Sequence, residues 1–180
     1  VIVYNEVQPI NTINRLVVAV PRYAEKERDF ITCFGLVRRL AGELGAKVVF
    51  YAHPDTTVAL QTMCRRPGKY LRASFRNMEG WEEVGPISQT IMENDMLVLL
   101  SPRKSTASYN PLFEAIPVML TQHFTGFSSM VVYPEQLTGA PDMDTLLTEI
   151  PPASKTWSLI VRMKRILLRM LPFRKNIHEE

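Results

Sequence analysis

Arg15-Leu-Val-Val-Ala-Val20, a helix-spaced stretch running to Leu44, the glycine at 45, and then Lys47-Val-Val-Phe-Tyr51 together decide the fold. The first run is short, continuously apolar and Val-rich, with Asn14 before it and Pro21 after. That is the pattern of a strand buried on both faces. Between Glu25 and Leu44, the residues Phe30, Cys33, Phe34, Val37, Ala41 and Leu44 keep the three-and-four spacing of one helical face, while Glu27, Arg28, Arg38 and Glu43 fall elsewhere. Gly45 stands where a left-handed helix cap belongs, and the second strand follows almost at once. The stretch therefore predicts a strand, helix, strand unit with a right-handed crossover.

The same rhythm continues outward. Ala52-His-Pro-Asp55 is turn chemistry, and Thr56 to Arg65 reads as a helix capped by Asp55 or Thr56 until Pro67-Gly68 breaks it. Tyr70-Leu-Arg-Ala-Ser-Phe75 alternates apolar and polar, as a strand near the sheet edge would. Trp81 to Glu93 reads as a helix with Pro86 in its first turn, and Met96-Leu-Val-Leu-Leu100, the most apolar run, as the central strand. Asn110-Pro111 opens a further helix that Pro117 restarts toward His123, and Ser129-Met-Val-Val-Tyr133 supplies a fifth strand. Alternation of this kind predicts an α/β fold: an open, five-stranded, mainly parallel sheet with helices on both faces. Residues 1–14 read as a connection from a preceding segment, 15–134 as the domain, 135–156 as a linker, and 157–180 as a basic amphipathic helix and tail. In that helix Leu159, Ile160, Met163, Ile166, Leu167 and Met170 share one stripe, opposite Arg162, Arg165 and Arg169.

The 180 residues are 46% hydrophobic and 22% charged, close to the globular average, which argues against a disordered, collagen-like or coiled-coil chain. No apolar run approaches the ~18 residues needed to cross a bilayer. The opening Val1, in place of Met, implies a piece of a longer protein. The net charge of +3 is uneven: the seven basic residues of 151–178 face no acid, and outside 151–180 there remain 14 basic against 16 acidic residues, 21 less 7 and 18 less 2. The body has no electrostatic reason to bind nucleic acid, whereas the tail suits a docking surface, an anionic membrane face or a calmodulin-type target site. Cys33 and Cys64 read as buried free thiols, and the scattered His53, His123 and His178 form no metal-ligand cluster, so no metal site is expected.

Open parallel sheets bind ligands beyond the carboxyl ends of their strands, where strand order reverses. The loops at 21–24, 52–55 and 101–110 are therefore the ones to inspect. Pro21, Arg22, Tyr51, Ala52, Ser101, Arg103, Lys104 and Ser105 form a candidate ligand ledge, in which two adjacent cations and several hydroxyls suit an anion. A solvated loop whose Ser and Thr satisfy their own backbone is the competing reading. The 101–110 loop lacks the glycines of a tight phosphate cradle, and neither GxGxxG nor GxxxxGK[ST] occurs. There is no GxSxG elbow and no HExxH, so no catalytic residue is assigned and no enzyme activity is expected.

Leu16-Val-Val-Ala-Val20, the helix ending Leu44-Gly-Ala46, Val48-Val-Phe-Tyr51, Asp95-Met-Leu-Val-Leu-Leu100 and Val131-Val-Tyr133 together resemble a universal stress protein domain, over roughly 14–134. More narrowly, Gln8-Pro-Ile-Asn-Thr12 leading into Val18-Ala-Val-Pro21, the stretch from Ser101-Pro-Arg-Lys-Ser105 to Ser108-Tyr109-Asn110-Pro111, and Tyr133-Pro-Glu-Gln136 resemble the cytosolic C-terminal domain of bacterial sodium/proton (cation/proton) antiporters. The resemblance implies a Rossmann-like, adenine nucleotide alpha hydrolase-like fold. It implies a non-catalytic regulatory domain on the cytoplasmic side of the bacterial inner membrane, partnered by the membrane transport domain of the same polypeptide. A homodimer is also implied, since such domains commonly pair through the fifth strand, here Met130 to Tyr133. The alternative is a free-standing universal stress protein that binds adenine nucleotide, and a small hydrolase or transferase using the 101–110 loop is the third reading. Nucleotide-binding members carry GxxGx9G[ST] after the fourth strand and an Asp after the first. Here Leu100 or Ser101 stands at the first glycine, Arg103 or Lys104 at the second and Phe113 to Ala115 at the third, and Pro21-Arg22 follows strand one.

Overall fold

The computed structural model describes residues 1–68, 70–104 and 106–133. The linker over 135–156, the helix over 157–171 with Arg162, Arg165 and Arg169, and Ser105 lie outside the described residues. Among the described residues six strands form one sheet: β1 (Ile2–Asn5), β2 (Arg15–Ala19), β3 (Lys47–Ala52), β4 (Ala73–Asn77), β5 (Asp95–Leu100) and β6 (Ser128–Val132). Their spatial order is β1-β6-β5-β2-β3-β4, parallel throughout except for β1, which runs antiparallel to β6. Among the described residues three α-helices accompany them: α1 (Phe30–Leu44), α2 (Pro54–Cys64) and α3 (Ile116–His123). Among the described residues no helix is long and apolar enough to cross a membrane.

β2 and β5 sit side by side in the middle of the sheet, and every residue of β5 is buried, as its unbroken apolar run requires of a strand covered on both faces. Alternate side chains go to two cores. On one face Phe34 of α1 stacks on Phe50, which stacks on Phe75, with ring centroids 6.1 and 5.8 Å apart. On the other, Val17, Ala19, Leu97, Leu99 and Val131 pack against Trp81, Val84, Ile87, Phe113 and Ile116. Helix α1 stops where Gly45 takes φ +64°, its N–H reaching the Gly42 carbonyl and that of Ala46 the Ala41 carbonyl. This paired bonding is a Schellman cap, a backbone shape glycine adopts without steric cost.

Five sequence readings change. The sheet has six strands rather than five, because Ile2–Asn5 lies in it as β1 and occupies the side of β6 that was expected to pair with a second molecule. The helix expected over 81–93 is a pair of 3₁₀ turns, Trp81–Glu83 and Gly85–Gln89. Its buried residues Trp81, Val84 and Ile87 recur every third position, which a three-residue turn aligns on one face, and Pro86 lacks the N–H an α-helix would use. The α2 cap is His53, not Asp55 or Thr56: Pro54 takes the first helical position and His53 Nδ1 accepts the Asp55 N–H at 3.2 Å. Helix α1 begins at Phe30, because Tyr23 is left-handed and Ala24–Lys26 closes a separate 3₁₀ turn. The edge strand moves to Ala73–Asn77, with Leu71 N–H bonded to the Cys64 carbonyl at the exit of α2.

At the amino ends of the central strands, Arg15 Nε donates to Asp95 Oδ1 at 2.8 Å and its Nη2 to Asp95 Oδ2. The same nitrogen bonds the Thr90 carbonyl at 3.1 Å, and Asp95 Oδ2 also accepts the Met92 N–H at 2.6 Å. Asp95 is 2% exposed. The carboxylate raises the Arg15 pKa further above its ordinary value. Because removing one partner strands the other charge in a dry site, we expect Arg15→Met to lower stability by about 3–5 kcal/mol in urea denaturation. The double replacement by apolar residues should recover much of that loss.

Candidate functional site

The segment leaving β2 is built to touch both of its neighbours. Val20 N–H still bonds the Tyr51 carbonyl at 2.9 Å, after which Pro21 ends the strand. Tyr23 then adopts φ +66°, the one non-glycine residue among those described with positive φ. A bulky side chain in this region costs on the order of 1–3 kcal/mol and persists only where the surroundings impose it. They do so here: Tyr23 N–H donates to Thr56 Oγ1 at 3.1 Å, and that hydroxyl donates to Glu25 at 2.7 Å, which pins the turn to α2. Arg22 reaches Asp55 on the same helix at 3.1 Å. On the other side Glu27 accepts both the backbone N–H and the hydroxyl of Ser108, at 3.1 and 2.9 Å.

Between these loops lies a cleft of about 200 Å³, bounded by the segments after β2, β4 and β5. It opens beside the β2/β5 boundary, where strand order reverses, the position at which open parallel sheets take ligands. Four of its lining residues are aromatic. Trp81 and Phe113 meet with centroids 4.2 Å apart, Tyr109 lies 6.3 Å from Phe113, and Tyr23 closes a further side. Tyr23 itself carries cations, Arg22 Cζ at 4.7 Å and Lys26 Nζ at 4.2 Å from the ring centroid. Arg22, Glu79, Ser108 and Asn110 supply polarity. Asn110 Oδ1 accepts the Leu112 N–H at 2.9 Å, and its side-chain NH₂ is the group that can donate. Glu79 accepts Asn77 Nδ2 at 2.5 Å and lies 3.5 Å from His53 Nε2.

The ledge expected from the sequence is divided among several places. Pro21 and Arg22 line the cleft. Tyr51 turns its hydroxyl to Thr90 at 3.0 Å, toward the Arg15 end of the sheet, and Ala52 is fully buried with its carbonyl on the Met78 N–H. Both therefore belong to the body of the sheet. Ser101 is buried, its N–H on the Val132 carbonyl, and borders a second, apolar cavity of about 30 Å³ shared with Phe30 and Cys33. Arg103 is near enough to Cys33 to act on that thiol electrostatically. Lys104 points elsewhere, to Glu114 at 2.8 Å, and Tyr109 Oη donates to the same carboxylate at 2.6 Å. Lys104 and then Tyr109 hold the Glu114 carboxyl below its ordinary pKa, and Glu114 in turn raises Lys104. Tyr23, Glu79, Trp81 and Tyr109 were missed as site residues. Tyr23 and Tyr109 fall within loops at strand ends that the sequence marked, whereas 78–81 was hidden because Trp81 read as the start of a helix.

No protein-family model, no curated protein and no solved structure matches this chain.

Burial pushes the Cys33 thiol up to about 12 and the Cys64 thiol to about 11, from 9.0. A raised folded-state pKa means that the thiols' contribution to stability is complete below about pH 9, where the unfolded thiols begin to ionise, and is lost as pH rises toward these folded values. At pH 8 we expect both thiols to react with iodoacetamide at least about tenfold more slowly in the native protein than in urea, by mass spectrometry.

Proposed function

We propose that this chain is a regulatory domain of a monovalent cation/proton antiporter, of universal stress protein-like fold. In this reading it is non-catalytic, lies on the cytoplasmic side of the membrane, and reports the presence of a nucleotide or other small anionic ligand to the transport domain. The single observation that carries the reading is the way one short segment, 21–27, lines the cleft with Pro21, Arg22 and Tyr23 while bonding to α2 through Arg22, Tyr23 and Glu25 and to the 101–110 loop through Glu27. A ligand that draws Arg22 from Asp55 changes both attachments together. This makes occupancy a shape change at the carboxyl end of the sheet, which is what a sensor requires.

The chemistry of the cleft limits the ligand. About 200 Å³ is below the ~300–1,000 Å³ common for drug-sized molecules, so the cleft suits one ring system, with any charged group left at the mouth beside Arg22. Trp81, Tyr109 and Phe113 provide stacking area for a planar ring, and Asn110 a donor for its edge. Arg22, about half exposed, can exchange a carboxylate for a phosphate without a new desolvation cost.

Two measurements test the reading. Calorimetric titration with adenosine, AMP and ATP should give binding that Arg22→Ala weakens by about tenfold or more for the phosphorylated ligands and little for adenosine. Removing the domain from the full-length exchanger should alter the response of cation/proton exchange to that ligand. An unchanged response would refute the regulatory role.

A further inference from the structure

The charge of the body is divided along the chain. Residues 38–76 hold eight of its 14 basic residues and two of its 16 acids, Glu43 and Asp55. The fold then draws some of these cations together. Because β2, β3 and β4 are successive parallel neighbours, right-handed crossovers place α1 and α2 side by side on one face of the sheet. Arg38 stands one turn beyond Phe34, on the stripe of α1 that covers Phe50. Arg66 follows the last turn of α2, where Cys64 is buried and its carbonyl takes the Leu71 N–H.

Cations at the exit of α2 complement the negative end of that helix, so Arg65 and Arg66 are in an ordinary place. Arg38 is not. It lies more than a turn before the end of α1, it is half-buried, and among the described residues neither a hydrogen bond nor a carboxylate acts on it. Burial first, then the charges of Arg39 and Arg66, lower its pKa from the ordinary value. A guanidinium keeps its proton all the same, so the fold holds a partly desolvated cation against two like charges. An arrangement that is unfavourable by itself and relieved by an incoming anion marks a binding site.

We propose that Arg38 and Arg66, with Arg39 beside them, form a site for a phosphate group, carried either by a soluble phosphoryl compound or by a phospholipid headgroup. Of the two acids in the stretch, Asp55 is at the far end of α2 with Arg22, and Glu43 brings one negative charge to three positive ones. A phosphate brings up to two charges and three acceptor oxygens, and two guanidinium forks can each take a pair of them. The exposed Tyr70, a few residues beyond Arg66, offers a phenol suited to a lipid interface if the phosphate is a headgroup. None of the three arginines lines the cleft, so the site stands whether or not the cleft takes a ligand.

Calorimetric titration of the 180-residue chain with inorganic phosphate, at constant ionic strength set by chloride, should show saturable binding. Arg38→Gln and Arg66→Gln should each weaken it by about tenfold. Arg38→Lys, which keeps the charge but loses the fork, should weaken it several-fold. Arg28→Gln makes the same charge change at the other end of α1 and should leave it unchanged. Arg66 is exposed, so its variant reports on the site even if position 38 does not tolerate replacement. The two sources are separated by cosedimentation with phosphatidylcholine vesicles containing phosphatidic acid. The basic tail is the same in every variant, so a loss of vesicle binding in Arg38→Lys and Arg66→Gln, deepened by Tyr70→Ala, assigns the phosphate to a lipid. Phosphate binding with vesicle binding equal in all variants assigns it to a soluble compound. Variants that change neither binding overturn the proposal. So does equal weakening by Arg38→Gln and Arg28→Gln, which would mean diffuse attraction. Phosphate binding abolished by Arg22→Ala but kept in Arg38→Gln would place the anion in the cleft and overturn it too.

Discussion

The bidentate pair between Arg15 and Asp95 fixes how the two central strands meet. These residues are Cα partners at the start of the β2/β5 ladder. In a sheet covered on both faces, a slip of one residue would exchange the Phe50 side for the Trp81 side at every position. Apolar side chains alone resist such a slip weakly, because Leu16-Val-Val-Ala19 and Met96-Leu-Val-Leu-Leu100 offer almost the same shape in either register. A forked guanidinium that must meet a carboxylate in the interior, with the Thr90 carbonyl accepting from the guanidinium and the Met92 N–H donating to the carboxylate, tolerates a single register. The switch point is thereby set at the amino ends, and the loops at the carboxyl ends inherit their spacing from it.

Given that spacing, the cleft follows from the loop after β2. Its left-handed Tyr23 turns the chain across the strand ends rather than directly into α1, which delays the helix to Phe30 and lets residues 22–27 span from α2 to Ser108. The aromatic side is supplied independently by the 3₁₀ turn at Trp81 and by Phe113 after the Asn110 cap. The backbone turn and the ring packing are thus separate inventions that meet over the same opening.

What could be read in the sequence was what repeats locally. The Val-rich runs of β2 and β3, the face of α1, Gly45 as its cap, the buried β5 and the Asn110-Pro111 start each carry their signal within a few residues. The universal stress protein likeness of this arrangement remains a proposal. β1 was illegible because its four residues gain their meaning from β6 at the far end of the domain. The 81–89 segment was misassigned because spacings of three are compatible with an α-helix, and Pro86, read as part of that helix's first turn, opens a separate 3₁₀ turn instead. The candidate site was legible as a location, beyond the strand ends, but not as a residue set. Lys104 was a reasonable anion ligand until Glu114, ten positions away, was seen to hold it, and Glu79 and Trp81 come from a strand exit not marked beforehand.

The placement of β1 also bears on the order in which the molecule assembles. Val1 and Tyr133 bond across 132 positions, so β1 rests against a strand made far later in the chain. On a ribosome β1 would therefore wait, unpaired, until β6 is made. Closing a loop of this size carries about 2 kcal/mol more entropy loss than closing one ten times shorter, for the return of a four-residue ladder. The parallel core can condense without it. β1 is then the final piece of the sheet to arrive, and the Ser128 hydroxyl, which accepts the Val7 and Gln8 N–H groups, is the latch that keeps it there.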